Sequence, residues 1–311
     1  MSGSGRGARL GSLGLLTAAM AGCSAIPAAA PPPPAPIAAP PPLPAPVQRA
    51  DPGRSPRAFV LDGAITQGGL VRGTAPAGTI ALTLDGQPVA LAADGRFLFG
   101  FGRDAGPSSR LEARLDTGER VAMPLAVIPR RWDIQSLPTL PRGTTPTPEF
   151  VRRRAAETAQ IAAARDRNSA TDGWRQRFIW PVTGRISGVF GSQRIYAGEP
   201  GAPHAGLDIA RPIGTPVAAP ADGVVVLAAA APFSLEGNLL MIDHGMGLNS
   251  AFLHLSRIDV KVGDRVVQGQ AVGAIGMTGR ATGPHLHWAL RWREARVDPQ
   301  PLLPPMPAPT L

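Results

Sequence analysis

The chain has 311 residues, a formal charge of +9, 37 glycines, 36 prolines and only 5% aromatic residues. This length allows two ordinary domains, and the scarcity of aromatic side chains argues against one large α/β domain. Basic residues are not interleaved with aromatic ones and no recognition motif is present, which argues against nucleic acid as a partner. The positive charge therefore reflects either a composition bias on a solvated surface or attraction to an anionic polymer or membrane.

Residues 1–22 have the form of an export signal, because two arginines precede an uncharged apolar run that is too short to span a bilayer. The run ends in Met20-Ala-Gly-Cys23, and Cys23 is the only cysteine. This tetrapeptide resembles a bacterial lipobox. The resemblance implies cleavage before Cys23, lipid attachment to its thiol and a membrane anchor, and Ser24 favours the outer membrane, facing the periplasm, over the inner membrane or the free periplasm. The alternative is an ordinary secretory signal cleaved near residues 28–30.

Two segments of different composition follow. Residues 23–57 are rich in alanine and proline, which favours polyproline II and predicts a semi-rigid tether. From 58 to 130, short β-type runs alternate with turn signals such as Asp85-Gly86 and Asp94-Gly95. These runs predict a small antiparallel β-sandwich. Because it contains no histidine, we expect it to have a positioning or interaction role.

Residues 131–178 read as a connector. Prolines interrupt its first half, and residues 149–168 then have a helix-forming composition. Thr147 is the predicted N-cap, with Pro148 at the first helical position. We expect the helix to pack against a domain, and we interpret Arg152-Arg153-Arg154 as a solvated face and not as a binding patch.

Residues 179–305 are again β-rich, with glycines between short apolar runs and no long amphipathic helix. They predict a second antiparallel β domain. The expected fold is therefore mainly β: a small N-terminal sandwich, a helical connector and a C-terminal antiparallel β domain.

All five histidines lie beyond residue 200, and four of them fall in three short motifs. These are His204-Ala-Gly-Leu-Asp208, Phe252-Leu-His254 and His285-Leu-His287. A catalytic zinc ion needs three histidine or carboxylate ligands and an open position. Glycine and proline around the first motif favour a turn that enters a strand over a helix. Residues two apart in a strand share a face, so one histidine of the third motif can bind a metal while the other faces the substrate, and spacing alone does not assign them.

These motifs, with their order and spacing over residues 179–300, resemble the M23 (LytM/lysostaphin-type) metallopeptidases. The resemblance implies that His204, Asp208 and His287 bind Zn²⁺ and that His254 and His285 are catalytic. It also implies hydrolysis of the peptide part of peptidoglycan, with D-alanyl–diaminopimelate cross-links as the substrate of a Gram-negative lipoprotein. Residues 58–130 resemble the β-sandwich that precedes this domain in some Gram-negative members.

Some points stay open. His244, in an Asp-His-Gly turn, reads as structural, and Phe252 stands where many relatives carry tyrosine. Protein partners, and which of His254 and His285 deprotonates the water, are not fixed by the sequence. Two other functions compete with catalysis: a regulator of cell-wall amidases, and a carrier module, since residues 260–270 look like half of a biotinyl or lipoyl domain. Lys261 lies inside that repeat and not in an exposed turn, which argues against the carrier.

Overall fold

The computed structural model describes residues 57–140 and 146–307. The predicted signal peptide at 1–22, the lipidation site Cys23 and the tether up to residue 56 lie outside the described residues. Among the described residues, no helix combines the length and hydropathy needed to cross a membrane.

Residues 57–140 form two antiparallel sheets and one further strand. The strands are β1 (Val60–Gly63), β2 (Leu70–Thr74), β3 (Thr79–Leu84), β4 (Gln87–Pro88), β5 (Arg96–Gly100), β6 (Ser108–Leu115), β7 (Arg120–Ala126) and β8 (Ile134–Leu137). The first sheet has the order β1-β2-β5 and the second β4-β3-β6-β7. Asp85 and Gly86 both have positive φ, at 50° and 77°, in the tight hairpin between β3 and β4. The two sheets enclose a core that includes Phe97, Phe99 and Leu111, as a sandwich requires.

The predicted connector helix is present as α1 (Pro148–Arg165). Thr147 is its N-cap, and the Thr147 hydroxyl accepts a hydrogen bond from the Phe150 amide at 3.2 Å. Ile161 and Ala164 are buried against a group of side chains from the C-terminal sheet. The helix ends three residues earlier than the sequence indicated and packs as expected.

The interpretation of Arg152-Arg153-Arg154 as a solvated face holds for Arg152 and Arg153, which are exposed, and is wrong for Arg154, whose side chain is 22% exposed. Only Arg152 is exposed without a recorded partner in the described part of the chain. Arg154 donates two hydrogen bonds of 2.6 Å to the Glu236 carboxylate, and Arg153 bonds to Glu157 and to the Pro232 carbonyl. The run therefore attaches α1 to the loop that contains residues 232–236.

The C-terminal region is built on one large sheet. The strands of the whole region are β9 (Arg185–Gly188), β10 (Gln193–Tyr196), β11 (Glu199–Pro200), β12 (Leu207–Ala210), β13 (Pro216–Ala218), β14 (Gly223–Ala228), β15 (Asn238–Asp243), β16 (Leu248–Leu255), β17 (Arg257–Ile258), β18 (Arg265–Val266), β19 (Ala271–Ala274), β20 (His285–Trp292) and β21 (Ala295–Val297). Eight of them form an antiparallel sheet of order β18-β14-β15-β16-β20-β12-β9, with β21 on β20. The prediction of a mainly β protein is confirmed.

The two faces of this sheet differ. Along β20, the partly exposed His285, His287, Ala289 and Arg291 alternate with Leu286, Trp288, Leu290 and Trp292, which are buried. The buried face joins the main core, and α1 covers part of the opposite face. The part of that opposite face outside α1 carries the histidine motifs.

The predicted connector also contains a strand that the sequence did not reveal. β8 pairs in parallel with β10, and the β10–β11 hairpin lies just before His204 in the chain. In addition, the hydrophobic core runs without interruption from Phe99 of the N-terminal sheets to Trp288 of the large sheet. The exact domain boundaries stay a prediction.

Candidate active site

His204, Asp208 and His287 come together although 83 residues separate the outermost two. β12 pairs with β20 in a register that places Asp208 directly opposite His287. Asp208 Oδ1 lies 2.8 Å from His287 Nδ1 and 3.0 Å from His204 Nε2, and these two nitrogens are 3.0 Å apart. One ligand atom from each residue can therefore face a single metal ion.

His204 lies in an irregular loop before β12, which is not helical, as the glycine and proline residues predicted, although it forms no regular turn. Its Nδ1 donates to the Val189 carbonyl at 3.0 Å, so the lone pair of Nε2 points toward Asp208 and His287. The loop backbone is fixed as well, since the His204 amide donates to the Ser192 carbonyl and the His204 carbonyl accepts from the Gly191 amide.

Two glycines allow the three candidate ligands to pack closely. A Cβ on Gly206 would lie 2.9 Å from His287 Nε2 and 2.5 Å from the Trp288 carbonyl oxygen. A Cβ on Gly188 would lie 2.4 Å from Asp208 Oδ2. Any other residue at either position would displace a ligand side chain or a strand backbone.

His254 and His285 lie beside this cluster and face each other. Their ring centroids are 4.8 Å apart, and the His254 ring is 6.2 Å from that of His287. His254 Nδ1 donates to the Thr278 carbonyl and His285 Nδ1 to the Gly283 carbonyl, each at 2.8 Å. Both rings therefore have Nε2 available for other partners, and His285 Nε2 is 3.9 Å from Asp208 Oδ1.

The backbone of His254 is unusual, with a φ of +64° in a residue other than glycine. Strict alternation along β16 would put His254 on the core face with Phe252. The positive φ breaks that alternation and brings the ring to His285 on the other face. The His254 amide is held by the Glu236 carbonyl at 2.8 Å, so the loop attached to α1 supports this conformation.

The electrostatics of the cluster favour a charged Asp208 and neutral His254 and His287. Burial works against ionisation of Asp208, but hydrogen bonds and charge from His204 and His287 outweigh it and hold its pKa well below the usual range. Burial likewise opposes protonation of His204, yet Asp208 raises the pKa of that imidazole. Burial lowers the pKa of His287, and it lowers the pKa of His254 to about 4.

His244 and Phe252, which the sequence did not assign to the metal or catalytic groups, lie in the core. His244 is fully buried, with Nδ1 2.7 Å from the Asp222 carbonyl oxygen and Nε2 2.8 Å from Ser250 Oγ. Phe252 is fully buried in the main core and does not line the site. A tyrosine in place of Phe252 would therefore extend its side chain, with the hydroxyl group, from the core face of β16.

The N-terminal region reaches the site through Arg103. Its guanidinium donates to the Gly191 carbonyl at 2.9 Å and to Gln193 Oε1 at 3.0 Å, and it lies over the Trp132 ring. Gly191 is bonded in turn to His204. Arg103 and Gly191 thus connect residues 58–130 to His204, as the positioning role expected for these residues would require. The sequence did not predict this connection.

The sequence also missed the backbone acceptors of the site. The carbonyls of Val189, Thr278 and Gly283 orient three of the four clustered histidines. Every residue has a backbone carbonyl, so residue type does not show which carbonyls accept these hydrogen bonds. The glycines and the threonine near the motifs were the available sequence signal.

Comparison with known proteins places this site in a family. The model of Peptidase family M23 matches residues 202–299, which contain the five site residues. The peptidoglycan DD-endopeptidase ShyA of Vibrio cholerae is 44% identical over 124 residues, which are 40% of this chain and 28% of that protein. The DD-carboxypeptidase/endopeptidase Mpg of Neisseria meningitidis is 43% identical over 101 residues, 32% of this chain and 22% of its own.

The chain thus spans only about a quarter of the length of these curated relatives. A Pseudomonas aeruginosa crystal structure assigned to peptidase M23 matches much more of it. That structure is 31% identical, with a TM-score of 0.58, and the match covers 76% of this chain and 93% of the other. The chain belongs to peptidase family M23.

Proposed function

We propose that this protein is a zinc-dependent endopeptidase that hydrolyses the peptide cross-links of peptidoglycan. The observation that carries the proposal is the convergence of His204, Asp208 and His287 with the two free imidazole edges of His254 and His285. Membership of family M23 and the endopeptidase names of the curated relatives support it.

The three clustered residues fit zinc by their chemistry. Two imidazoles and one carboxylate are a donor set used by catalytic zinc sites, which keep a further position open. The candidate ligand atoms lie within 4.8 Å of one another, and the side chains are 13 to 21% exposed. The hydrogen bond from His204 Nδ1 to the Val189 carbonyl is the kind of outer contact that fixes the tautomer of a ligating histidine.

Zinc held by these residues would lower the pKa of water and polarise a carbonyl. The chain itself supplies the proton transfers. With its pKa at about 4, His254 is neutral at neutral pH, and its Nδ1–H is committed to Thr278, so Nε2 is a proton acceptor. His285 Nε2 lies on the same side, and because Nδ1 donates to the Gly283 carbonyl, the imidazolium form of this ring can donate from Nε2 to the oxyanion of a tetrahedral intermediate.

The substrate and location follow from two further observations. Three Vibrio cholerae relatives that match this region are named DD-endopeptidases, which supports D-alanyl–diaminopimelate cross-links as the bond hydrolysed. The lipobox-like Met20-Ala-Gly-Cys23 supports a lipid anchor at Cys23. We therefore place the protein in the periplasm, attached to the outer membrane.

The proposal is tested by digesting purified sacculi and analysing the muropeptides by mass spectrometry. The digests compare the wild-type chain, the same chain with zinc chelated, and His285→Ala. Only the wild type is expected to convert cross-linked dimers into monomers. Unchanged dimers in all three digests would reject the enzyme and favour a regulator of amidases.

A further inference from the structure

A second cluster of polar side chains lies beside the metal cluster, in a cavity of about 140 Å³ between α1 and the open face of the large sheet. Arg165, Arg291, Arg296 and Asn249 line the cavity. It extends to Ala205 and His287, so it opens next to the metal cluster. The mechanism above uses none of the four polar residues.

Strand geometry places two of the arginines on the face of the metal ligands. Arg291 follows His287 by four residues on β20, with the same partly exposed phase. Arg296 of β21 is the direct cross-strand partner of Arg291, so both side chains share that face. Four residues of strand correspond to about 13 Å, a distance that a few residues of an extended peptide would cover.

The third arginine comes from the connector helix. Arg165 is the last residue of α1, and burial together with the charges of Arg291 and Arg296 lowers its pKa to about 10. It stays charged at neutral pH. The side chains of Arg165 and Arg296 form no hydrogen bond or salt bridge with any residue in the described part of the chain.

The nearby acidic residues do not balance this charge. Glu236 lines the cavity, but its two carboxylate oxygens are already bonded to Arg154. Glu294, which is 95% exposed, pairs with Arg291, and the Arg291 guanidinium also donates to the Arg293 carbonyl, so Glu294 is not available to Arg165 or Arg296. The charges of Arg165 and Arg296 thus have no acidic partner among the described residues in a partly enclosed space that Arg291 also lines, an arrangement that suits an anionic ligand.

The side chain of Asn249 indicates a second group that the ligand must carry. The residue is 5% exposed, and its Oδ1 is buried without a hydrogen-bond donor from the described residues. A buried acceptor of this kind is costly unless a donor reaches it. A ligand that satisfies both features carries an acid group for the arginines and an N–H group for Asn249, as a peptide carboxylate with its neighbouring amide does.

We propose that Arg165, Arg291, Arg296 and Asn249 form a subsite that binds a free carboxylate of the substrate peptide, beside the scissile bond. The inference rests on the proposed function, because it names the part of the substrate that the enzyme recognises. It gives α1 a role in substrate binding through Arg165. It also gives part of the chain's positive charge a function, which is to bind an acidic group of the substrate.

The test uses a purified cross-linked muropeptide dimer and the same dimer with its carboxylates converted to carboxamides. Binding of each is measured by calorimetry with the zinc-loaded full chain in a His285→Ala background, which suppresses turnover. We expect the carboxylate form to bind about tenfold more tightly than the carboxamide form. Arg165→Gln and Arg296→Gln should reduce this ratio to near one.

Arg167→Gln is the matched control, since Arg167 is exposed just beyond α1 and does not line the cavity. It should keep the full ratio. A ratio near one without the arginine substitutions, or a ratio that survives in Arg165→Gln and Arg296→Gln, would overturn the subsite. Hydrolysis of the two dimers by the wild-type chain is followed in parallel, so cleavage without carboxylate preference rejects the subsite alone, and preference without cleavage rejects the endopeptidase alone.

Discussion

Arg154 of α1 and Glu236 of the loop before β15 form a bidentate ion pair with two N–O distances of 2.6 Å. The same guanidinium bonds to Glu157, whose buried carboxylate also accepts from the amide and hydroxyl of Ser234. Because the Glu236 carbonyl accepts from the His254 amide, the pair connects the connector helix to a residue proposed to be catalytic.

Arg154→Gln should therefore weaken both stability and catalysis. Loss of the charge leaves two carboxylates short of partners, and we expect the free energy of unfolding to fall by about 1–3 kcal/mol. We expect kcat to fall roughly tenfold because His254 loses its exact placement. Denaturant unfolding and muropeptide kinetics measure the two effects. Arg152→Gln on the same helix is the control and should behave as wild type, and equal effects of the two substitutions would contradict the linkage.

Arg103→Gln should weaken zinc binding from a distance. Arg103 fixes the Gly191 carbonyl, and Gly191 in turn is bonded to the loop of His204. We expect the dissociation constant for zinc to rise by up to roughly tenfold, as for substitutions of groups that orient a ligand. Competition with a chromogenic chelator measures it.

Arg110 provides the comparison, because it lies in the same β region, its side chain is 62% exposed, and among the described residues that side chain pairs only with Glu112. Arg110→Gln should leave the zinc affinity unchanged. If Arg103→Gln also leaves it unchanged, the N-terminal region does not position His204.

Gly206→Ala should disturb the metal cluster directly. The new methyl group would lie 2.9 Å from His287 Nε2 and 2.5 Å from the Trp288 carbonyl oxygen. We expect a loss of about 1–3 kcal/mol in stability from overpacking, together with loss of bound zinc. Thermal melting and metal analysis of the purified variant measure these. Gly106→Ala, where a Cβ meets nothing within 4 Å, should alter neither, and full zinc content in Gly206→Ala would show that the ligands tolerate the methyl group.

His244 should make the protein less stable in acid. Burial lowers its pKa to about 4, whereas the unfolded side chain titrates near 6.5. The unfolded chain therefore binds a proton first, so stability is complete above pH 6.5 and is lost as the pH falls toward 4, by about 3 kcal/mol in total.

The measurement is the free energy of unfolding between pH 7 and pH 4 for wild type and His244→Gln, both with chelator. The variant starts lower because it disturbs the hydrogen bonds to Asp222 and Ser250, but its curve should fall less steeply. Parallel curves would mean that His244 titrates normally in the folded protein.

Local patterns explain what the sequence could predict. Alternation placed His285 and His287 on one face, and glycine and proline placed His204 outside a helix at the entry to a strand, as the structure has them. Capping residues likewise predicted the start of α1. The assignment of roles among the histidines depended on resemblance to a family and not on spacing.

The remaining features depend on pairings between distant residues. Asp208 meets His287 because β12 lies beside β20, 79 residues away along the chain, and no local pattern specifies that neighbour. The positive φ of His254 is imposed by contacts with Glu236 and Thr278. The arginine subsite joins a helix end to a hairpin, although the phase of Arg291 relative to His287 was visible in the sequence.

The central claim is that one zinc ion, held by His204, Asp208 and His287, makes this chain an endopeptidase. The most direct measurement is a titration of the chelated full chain with Zn²⁺ while hydrolysis of a purified cross-linked muropeptide dimer is followed. We predict that the rate rises linearly and stops rising at about one zinc ion per chain, and that Asp208→Ala shows no hydrolysis at the same zinc concentrations. Full activity of the metal-free chain, or an Asp208→Ala titration that matches wild type, would contradict the account.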